Sequence, residues 1–206
     1  MEGTDFMPFV NASRFIDGVL ESRSEEYPFY TIGKSAYLDK GDSYNNGRKI
    51  INGLMMFFAR DSYISLLTAL EGHLKEEVYL DDDLAYPGFH IFDNDPAFLQ
   101  IAGNWHTDEP HNTLGLGDDD VSTFTLAIQM PEGGGGIDFY SVNKGGVRGP
   151  MAYVPHKEGY MIVHSGQKMH RIASFKEEGK KSRITLQGHI VRRREGPMKG
   201  KLIAFW

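Results

Sequence analysis

Between Tyr86 and Arg192 the chain breaks into short runs rich in β-branched and aromatic residues, separated by Gly, Pro, Asn and Asp. Runs of this kind, bounded by turn residues, read as strands. The candidates are Phe89–Phe92, Phe98–His106, Ser122–Met130, Ile137–Val142, Ala152–Val154, Tyr160–Val163, Met169–Ala173 and Arg183–Val191. About eight strands with turn-rich connections suit a double-sheet jelly roll, a double-stranded β-helix of the cupin kind. The expected fold is therefore mainly β with flanking helices. Gly133-Gly134-Gly135-Gly136 fits a φ-permissive turn between two strands. No helix start or Lys-Ser/Thr follows it, so it does not read as a phosphate loop.

Residues 1–85 have a different texture, helical and mixed, and nothing in the 206 residues demands a second domain. The expectation is one domain over 1–206, with a β-helix core at about 86–192. Asn11-Ala12-Ser13 offers cap residues before Phe15, Ile16, Val19 and Leu20, which is helical spacing. A second helix is expected after Asp61-Ser62, with Ile64, Leu67, Leu70 and Leu74 as its apolar stripe. Gly41-Asp42-Ser43-Tyr44-Asn45-Asn46-Gly47 is turn chemistry and reads as a surface loop. Leu54-Met55-Met56-Phe57-Phe58 reads as core packing in preference to a substrate-pocket lining.

Composition removes several functions. The chain has no cysteine, so disulfides, iron–sulfur clusters, thiolate metal sites and a cysteine nucleophile are excluded, and any metal falls to His, Asp or Glu. A net charge of −6 argues against broad binding to nucleic acid, and Arg192-Arg193-Arg194 reads as a solvated strand end. No apolar run reaches membrane-spanning length. The start, Met1-Glu2-Gly3-Thr4-Asp5, lacks a signal-peptide pattern, so a cytoplasmic location is the default expectation.

The chemistry concentrates in Trp105-His106-Thr107-Asp108. In an extended strand, side chains two residues apart share a face, so His106 and Asp108 can present an imidazole and a carboxylate to one ion. A distal histidine completes two histidines and one carboxylate on one side of a metal, with the other side open. His164 ends a strand and runs into a turn, whereas His170 opens the next strand; His170 is preferred. His111, just past Asp108, is a candidate substrate contact. Arg183-Ile184-Thr185 places a guanidinium and a hydroxyl on one strand face, a pair that can grip a carboxylate. The bland alternative for Arg183 is an internal salt bridge.

His106-x-Asp108, His170 and Arg183-x-Thr185, with Gly135-Gly136-Ile137-Asp138-Phe139-Tyr140 between them, resemble the Fe(II)/2-oxoglutarate-dependent oxygenase superfamily over roughly Pro87 to Arg192. Pro87-Gly88-Phe89-His90-Ile91-Phe92 is similar to a strand preceding the metal motif in small bacterial members that act on amino-acid derivatives and indole alkaloids. The resemblance implies Fe(II) held by His106, Asp108 and His170. It implies 2-oxoglutarate chelating the iron, with its distal carboxylate on Arg183 and Thr185, and dioxygen as the third reactant. Thr125 and Gln129, alternating on the strand after the motif, would reach the cosubstrate. The products implied are succinate, carbon dioxide and a small molecule oxidised at a C–H bond. Family members that halogenate have Gly or Ala where Asp108 stands, so halogenation is disfavoured.

Candidate substrate contacts are Phe58, Tyr63, Trp105, His111, Arg148 and Tyr153. A peptidyl or prolyl hydroxylase is the alternative within catalysis, favoured by Gly-Gly-x-x-Phe-Tyr and opposed by the short chain. A non-catalytic cupin-like metal-binding or sensor protein is the alternative of another class, although it has no need of a carboxylate clamp.

Overall fold

The computed structural model describes residues 20–25, 27–39, 41–93, 95–100, 102–116, 120–142, 148–177 and 180–206. In chain order the elements are β1 (Leu20–Ser22), β2 (Phe29–Ile32), α1 (Asp42–Asn45), α2 (Arg48–Leu74), β3 (Val78–Leu80) and β4 (Gly88–Phe92). A 3-10 turn at Pro96–Leu99 and α3 (Pro110–Thr113) follow. The remaining strands are β5 (Ser122–Gln129), β6 (Gly136–Val142), β7 (Arg148–Pro155), β8 (Met161–Ser165), β9 (His170–Ala173), β10 (Arg183–Arg192) and β11 (Leu202–Phe205).

β10 organises the larger sheet. It pairs with β5 along one edge and with β4, then β11, along the other. β2 and β1 continue beyond β4, β3 runs parallel to β11, and β8 closes the sheet beyond β5. The smaller sheet is β7-β6-β9, extended by a bridge from His106 to His170. The sheets meet through side chains such as Phe139 on β6 and His164 on β8, whose rings lie 5.0 Å apart. This is the expected double-stranded β-helix.

Strand alternation divides the larger sheet into two unlike faces. Ile184, Leu186 and Ile190 of β10, Phe124 of β5 and Phe89 and Ile91 of β4 form one apolar core with Met55, Ala59, Tyr63, Leu66 and Leu70 of α2. Each fully buried large side chain here contributes about 1.5–3 kcal/mol relative to an exposed one. The other face, carrying Arg183, Thr185 and His189, turns toward the smaller sheet. Gly88 marks the tightest approach: a Cβ there would sit 1.8 Å from the Trp206 ring, so only glycine lets the C-terminal indole lie across β4.

Several expectations are corrected. Among its described residues Phe98–His106 is not one strand: Asp95 caps Ala97 N–H at 2.8 Å and Pro96 opens a 3-10 turn, and His106 forms an isolated bridge to His170. The Gly41–Gly47 loop contains α1, with Gly41 and Gly47 at positive φ on either side. The helix expected from Asp61 starts at Arg48 and kinks at Ala59, and its buried face turns Ile64 out to 50% exposure. Leu20 lies in β1; the rest of the helix expected after Asn11 lies outside the described residues. Among the described residues, no helix is long and apolar enough to cross a membrane.

Candidate functional site

The segment carrying His106 and Asp108 lies along the edge of β9. His106 and His170 exchange both backbone hydrogen bonds at 2.9 Å, and Asp108 N–H donates to the Gly166 carbonyl at 2.8 Å. Gly166 makes room, since a Cβ there would lie 3.2 Å from that of Asp108 and 2.7 Å from the Val121 side chain. The ladder turns both histidines and the carboxylate the same way. Among the described residues, His106, Asp108 and His170 are the group that could hold a metal ion, with one ligand atom from each within 4.8 Å of the others. His164 stands beside this group, its ring 4.6 Å from that of His170.

The surroundings fit the donors to a cation. His106 Nδ1 lies 2.7 Å from the Asn104 carbonyl and His170 Nδ1 2.8 Å from the Lys168 carbonyl. A carbonyl only accepts, so each Nδ1 carries a proton, and Nε2 is the nitrogen each ring turns toward Asp108 and could give to a metal. Those Nε2 atoms face Asp108 Oδ1 at 3.7 Å and Oδ2 at 3.3 Å respectively. Thr123 donates to Asp108 Oδ2 at 2.6 Å; with its proton so used, its oxygen accepts from His189 Nδ1 at 3.1 Å. Burial alone would raise the Asp108 carboxyl, but the hydrogen bond from His170, the nearby His189 and the Thr123 hydroxyl hold it well below the usual carboxylate range. Burial pulls His170 down, yet the Asp108 carboxylate leaves it raised. The same field favours a metal cation between them.

Arg183 and Thr185 mark the other end of the interior face. Arg183 is 1% and Thr185 0% exposed. The guanidinium lies 5.2 Å above the Phe92 ring, and Nη2 is 3.2 Å from His156 Nδ1. Nε and Nη1 of Arg183 and Oγ1 of Thr185 are buried without a hydrogen-bond partner. Among the described residues Arg183 has no carboxylate partner, so the internal salt bridge is absent there. Burial lowers its pKa to about 10, which still leaves it charged at neutral pH. A buried cation with free donors calls for an anion, and none of the described residues supplies it.

The other candidates separate. Thr125 is buried on the interior face opposite Gln187. Gln129 is committed elsewhere, its Nε2 donating to the Ser182 carbonyl at 2.9 Å. His111 is buried in α3 with Nδ1 unpartnered. Tyr63 and Phe58 do not face this interior: they sit on α2, beyond the opposite sheet face, where the Tyr63 hydroxyl donates to the Pro87 carbonyl and Phe58 is 43% exposed. Trp105 lies in tilted contact with Tyr140 and beneath the Arg171 guanidinium, and Tyr153 is in register with Asp138. Both therefore lie on the outer face of the smaller sheet, because Asp138 and Arg171 alternate away from Phe139 and His170. The Arg148 side chain lies outside the described residues.

Thr123, His189, His156 and Tyr37 went unmarked as site residues in the sequence. His189 shares strand parity with Arg183 and Thr185, and Thr123 with Thr125, which is a usable signal. Tyr37 stands at the rim, 41% exposed as a residue, with its hydroxyl near Gln187 Nε2 at 3.2 Å and His90 Nε2 at 3.4 Å. Burial of that hydroxyl and the charge of Asp108 push it up to about 12.

No protein-family model and no curated protein matches the chain. Among solved structures it is similar to an oxidoreductase of the 2OG-Fe(II) oxygenase family from Burkholderia pseudomallei (13% identity, TM-score 0.37), over 55% of this chain and 46% of that one. It is also similar to a Pseudomonas putida prolyl-4-hydroxylase (14% identity, TM-score 0.42; 91% and 84% of the two chains). A third is SnoK, a non-heme alpha ketoglutarate dependent carbocyclase from nogalamycin biosynthesis (12% identity, TM-score 0.44; 98% and 88%).

Proposed function

We propose that this protein is an Fe(II)- and 2-oxoglutarate-dependent oxygenase that oxidises an unactivated C–H bond of a small molecule. The observation that carries the reading is the buried Arg183–Thr185 pair with its unmet donors, on the same strand face as His189, which reaches Asp108 through Thr123. A metal-binding protein without a dicarboxylate cosubstrate has no use for the first half of that arrangement.

His106, Asp108 and His170 would hold the iron, which when bound activates dioxygen at the expense of 2-oxoglutarate. The chain's own residues do the rest. Asn104 and Lys168 fix the imidazole tautomers, and Thr123 fixes the Asp108 carboxylate. Arg183 binds the distal carboxylate and sets the length at which the keto-acid end meets the metal, with Thr185 adding a hydroxyl. At about 3.4 Å per residue, Thr185 and His189 stand roughly 14 Å apart along β10, a separation that a five-carbon diacid together with the side chains at each end would span. Tyr37 at the rim is the candidate substrate contact, because its hydroxyl is turned inward toward the Asp108 side of the cavity.

The test is succinate release by Fe(II)-loaded protein across amino-acid derivatives and secondary metabolites. Substrate-dependent succinate with a product heavier by one oxygen, or lighter by two hydrogens, supports the reading. Absence of succinate in every case, with iron bound, rejects it.

A further inference from the structure

We propose that Trp105, Arg171 and Asp138 form a latch on the outer face of the smaller sheet that positions His106 as a metal ligand. This rests on the metal-site reading of His106, Asp108 and His170 above. The three ligands are not equally held: the His106 side chain is 47% exposed, against 10% for Asp108 and 8% for His170. His170 belongs to β9, whereas the residues on either side of His106 lie in no strand and His106 itself makes an isolated bridge. Among the described residues no strand pairs with the far side of this segment. Its backbone is tied to β9 by the His106–His170 pair and by the Gly103 N–H, which donates to the Ile172 carbonyl at 2.8 Å. An edge so sparsely bonded has little besides its side chains to stop it rolling about its own axis.

The outer face supplies the stop. Antiparallel pairing of His106 with His170 puts Trp105 opposite Arg171, and Arg171 is in register with Asp138 of β6. Side-chain contacts follow that row. The Arg171 guanidinium lies 4.5 Å above the Trp105 ring, and its Nε donates to Asp138 Oδ2 at 3.0 Å. Asp138 is 6% exposed and sits on the middle strand of the sheet, which anchors the row. Tyr140 also touches the indole, with ring centroids 4.1 Å apart. The inner face of the same backbones carries His106, His170 and Phe139 in register. Because neighbouring residues of an extended chain point to opposite faces, a roll that lifts Trp105 off Arg171 also swings His106 away from the Asp108 carboxylate. Trp105 and Arg171 are therefore positioning residues, each acting through the backbone of the ligand next to it.

The experiment is calorimetric titration of the full chain with Mn(II). Trp105→Ala and Arg171→Ala should each bind at least about tenfold more weakly, the lower end of the cost of losing an outer partner of a ligand. The double variant should be within about threefold of the weaker single, because both changes cut the same row. Trp105→Phe keeps a ring under the guanidinium and should stay within about threefold of wild type. Tyr153→Ala, in the same row beyond Asp138, should leave the affinity unchanged. Wild-type affinity in Trp105→Ala, or an equal loss in Tyr153→Ala, overturns the proposal. His106→Ala separates the two levels: if it too binds Mn(II) as wild type does, the metal-site reading falls as well; if it alone is weakened, only the latch falls. Amide hydrogen exchange of the metal-free proteins reads the position of the segment without metal. In Trp105→Ala the Gly103 and His106 amides should exchange at least about tenfold faster, with those of Phe124 and Leu126 in β5 unchanged. Unchanged exchange at Gly103 and His106, or an equal rise at β5, contradicts the proposal.

Discussion

The two faces of β10 follow opposite rules within one strand. Ile184, Leu186 and Ile190 point into a dry core against α2, where shape and apolar area are all that matter. Arg183, Thr185 and His189 point the other way, equally buried, yet Arg183 and Thr185 leave polar atoms unmet there. Burial alone thus does not separate structure from function here. The difference is satisfaction: the first face is apolar throughout, whereas on the second Arg183 and Thr185 leave polar atoms without a hydrogen-bond partner among the described residues. Stability and ligand binding should therefore respond separately to changes on the two faces.

The largest effect belongs to the metal end. His106→Ala or His170→Ala removes one of three donors and should lower Fe(II) or Mn(II) affinity by more than about a hundredfold, beyond the 10–100-fold cost of losing an outer partner. His164→Ala should leave metal affinity nearly unchanged. Metal titration of the three variants checks this, and a His164→Ala protein that loses its metal while His170→Ala keeps it would reverse the choice of distal ligand.

Next comes the strand itself. Leu186→Ala should destabilise the fold by about 2–5 kcal/mol, because it leaves a cavity in a fully buried core. Arg183→Met, on the other face, should cost little or raise the unfolding midpoint of the ligand-free protein, since it removes an unpaired buried charge. Urea unfolding of both variants decides, and equal destabilisation by both would erase the distinction between the faces.

Thr123→Val tests the connection between β5 and the metal end. It should reduce metal affinity by about 10–100-fold, because Asp108 loses its orienting hydroxyl and His189 its acceptor. Calorimetric metal titration with unchanged far-ultraviolet dichroism is the check.

The smallest effect is on pH. His90, His156, His164 and His189 are all depressed, chiefly by burial, with His164 at about 4 and His156 at about 2. A depressed histidine contributes stability that is full above its unfolded value of about 6.5 and is lost as pH falls toward the folded value. His170 is raised and has the opposite sign. The metal-free protein should therefore lose stability between about pH 7 and pH 5, with a shallower loss in His156→Gln, as read by urea midpoints.

Much of this was legible in the sequence because strand alternation and turn chemistry are local. The strands of the β core were readable to within a few residues, and the two-residue spacing of His106 and Asp108, or of Arg183 and Thr185, states directly that each pair shares a face. The exceptions are physical. β1, β2, β3 and β11 are three or four residues long and owe their existence to neighbours in the sheet rather than to an alternating pattern. Phe98–His106 looked like a strand because its apolar residues outweighed the Asp95-Pro96 helix-turn signal. Tyr63 and Trp105 were plausible pocket residues until the fold assigned them to outer faces. His156 meets Arg183 only through the packing of β7 near the start of β10, which no spacing in the chain encodes.

The most direct test of the central claim is anaerobic titration of the Fe(II)-loaded protein with 2-oxoglutarate, followed through its visible metal-to-ligand charge-transfer band. The expected result is a saturable band in wild type that disappears without iron. In Arg183→Met the same band should need at least about thirtyfold more 2-oxoglutarate, the low end of the 2–5 kcal/mol attached to cutting one partner from a buried charged contact. A wild-type protein that binds iron and gives no band, or an Arg183→Met protein that saturates at the wild-type concentration, would contradict the account.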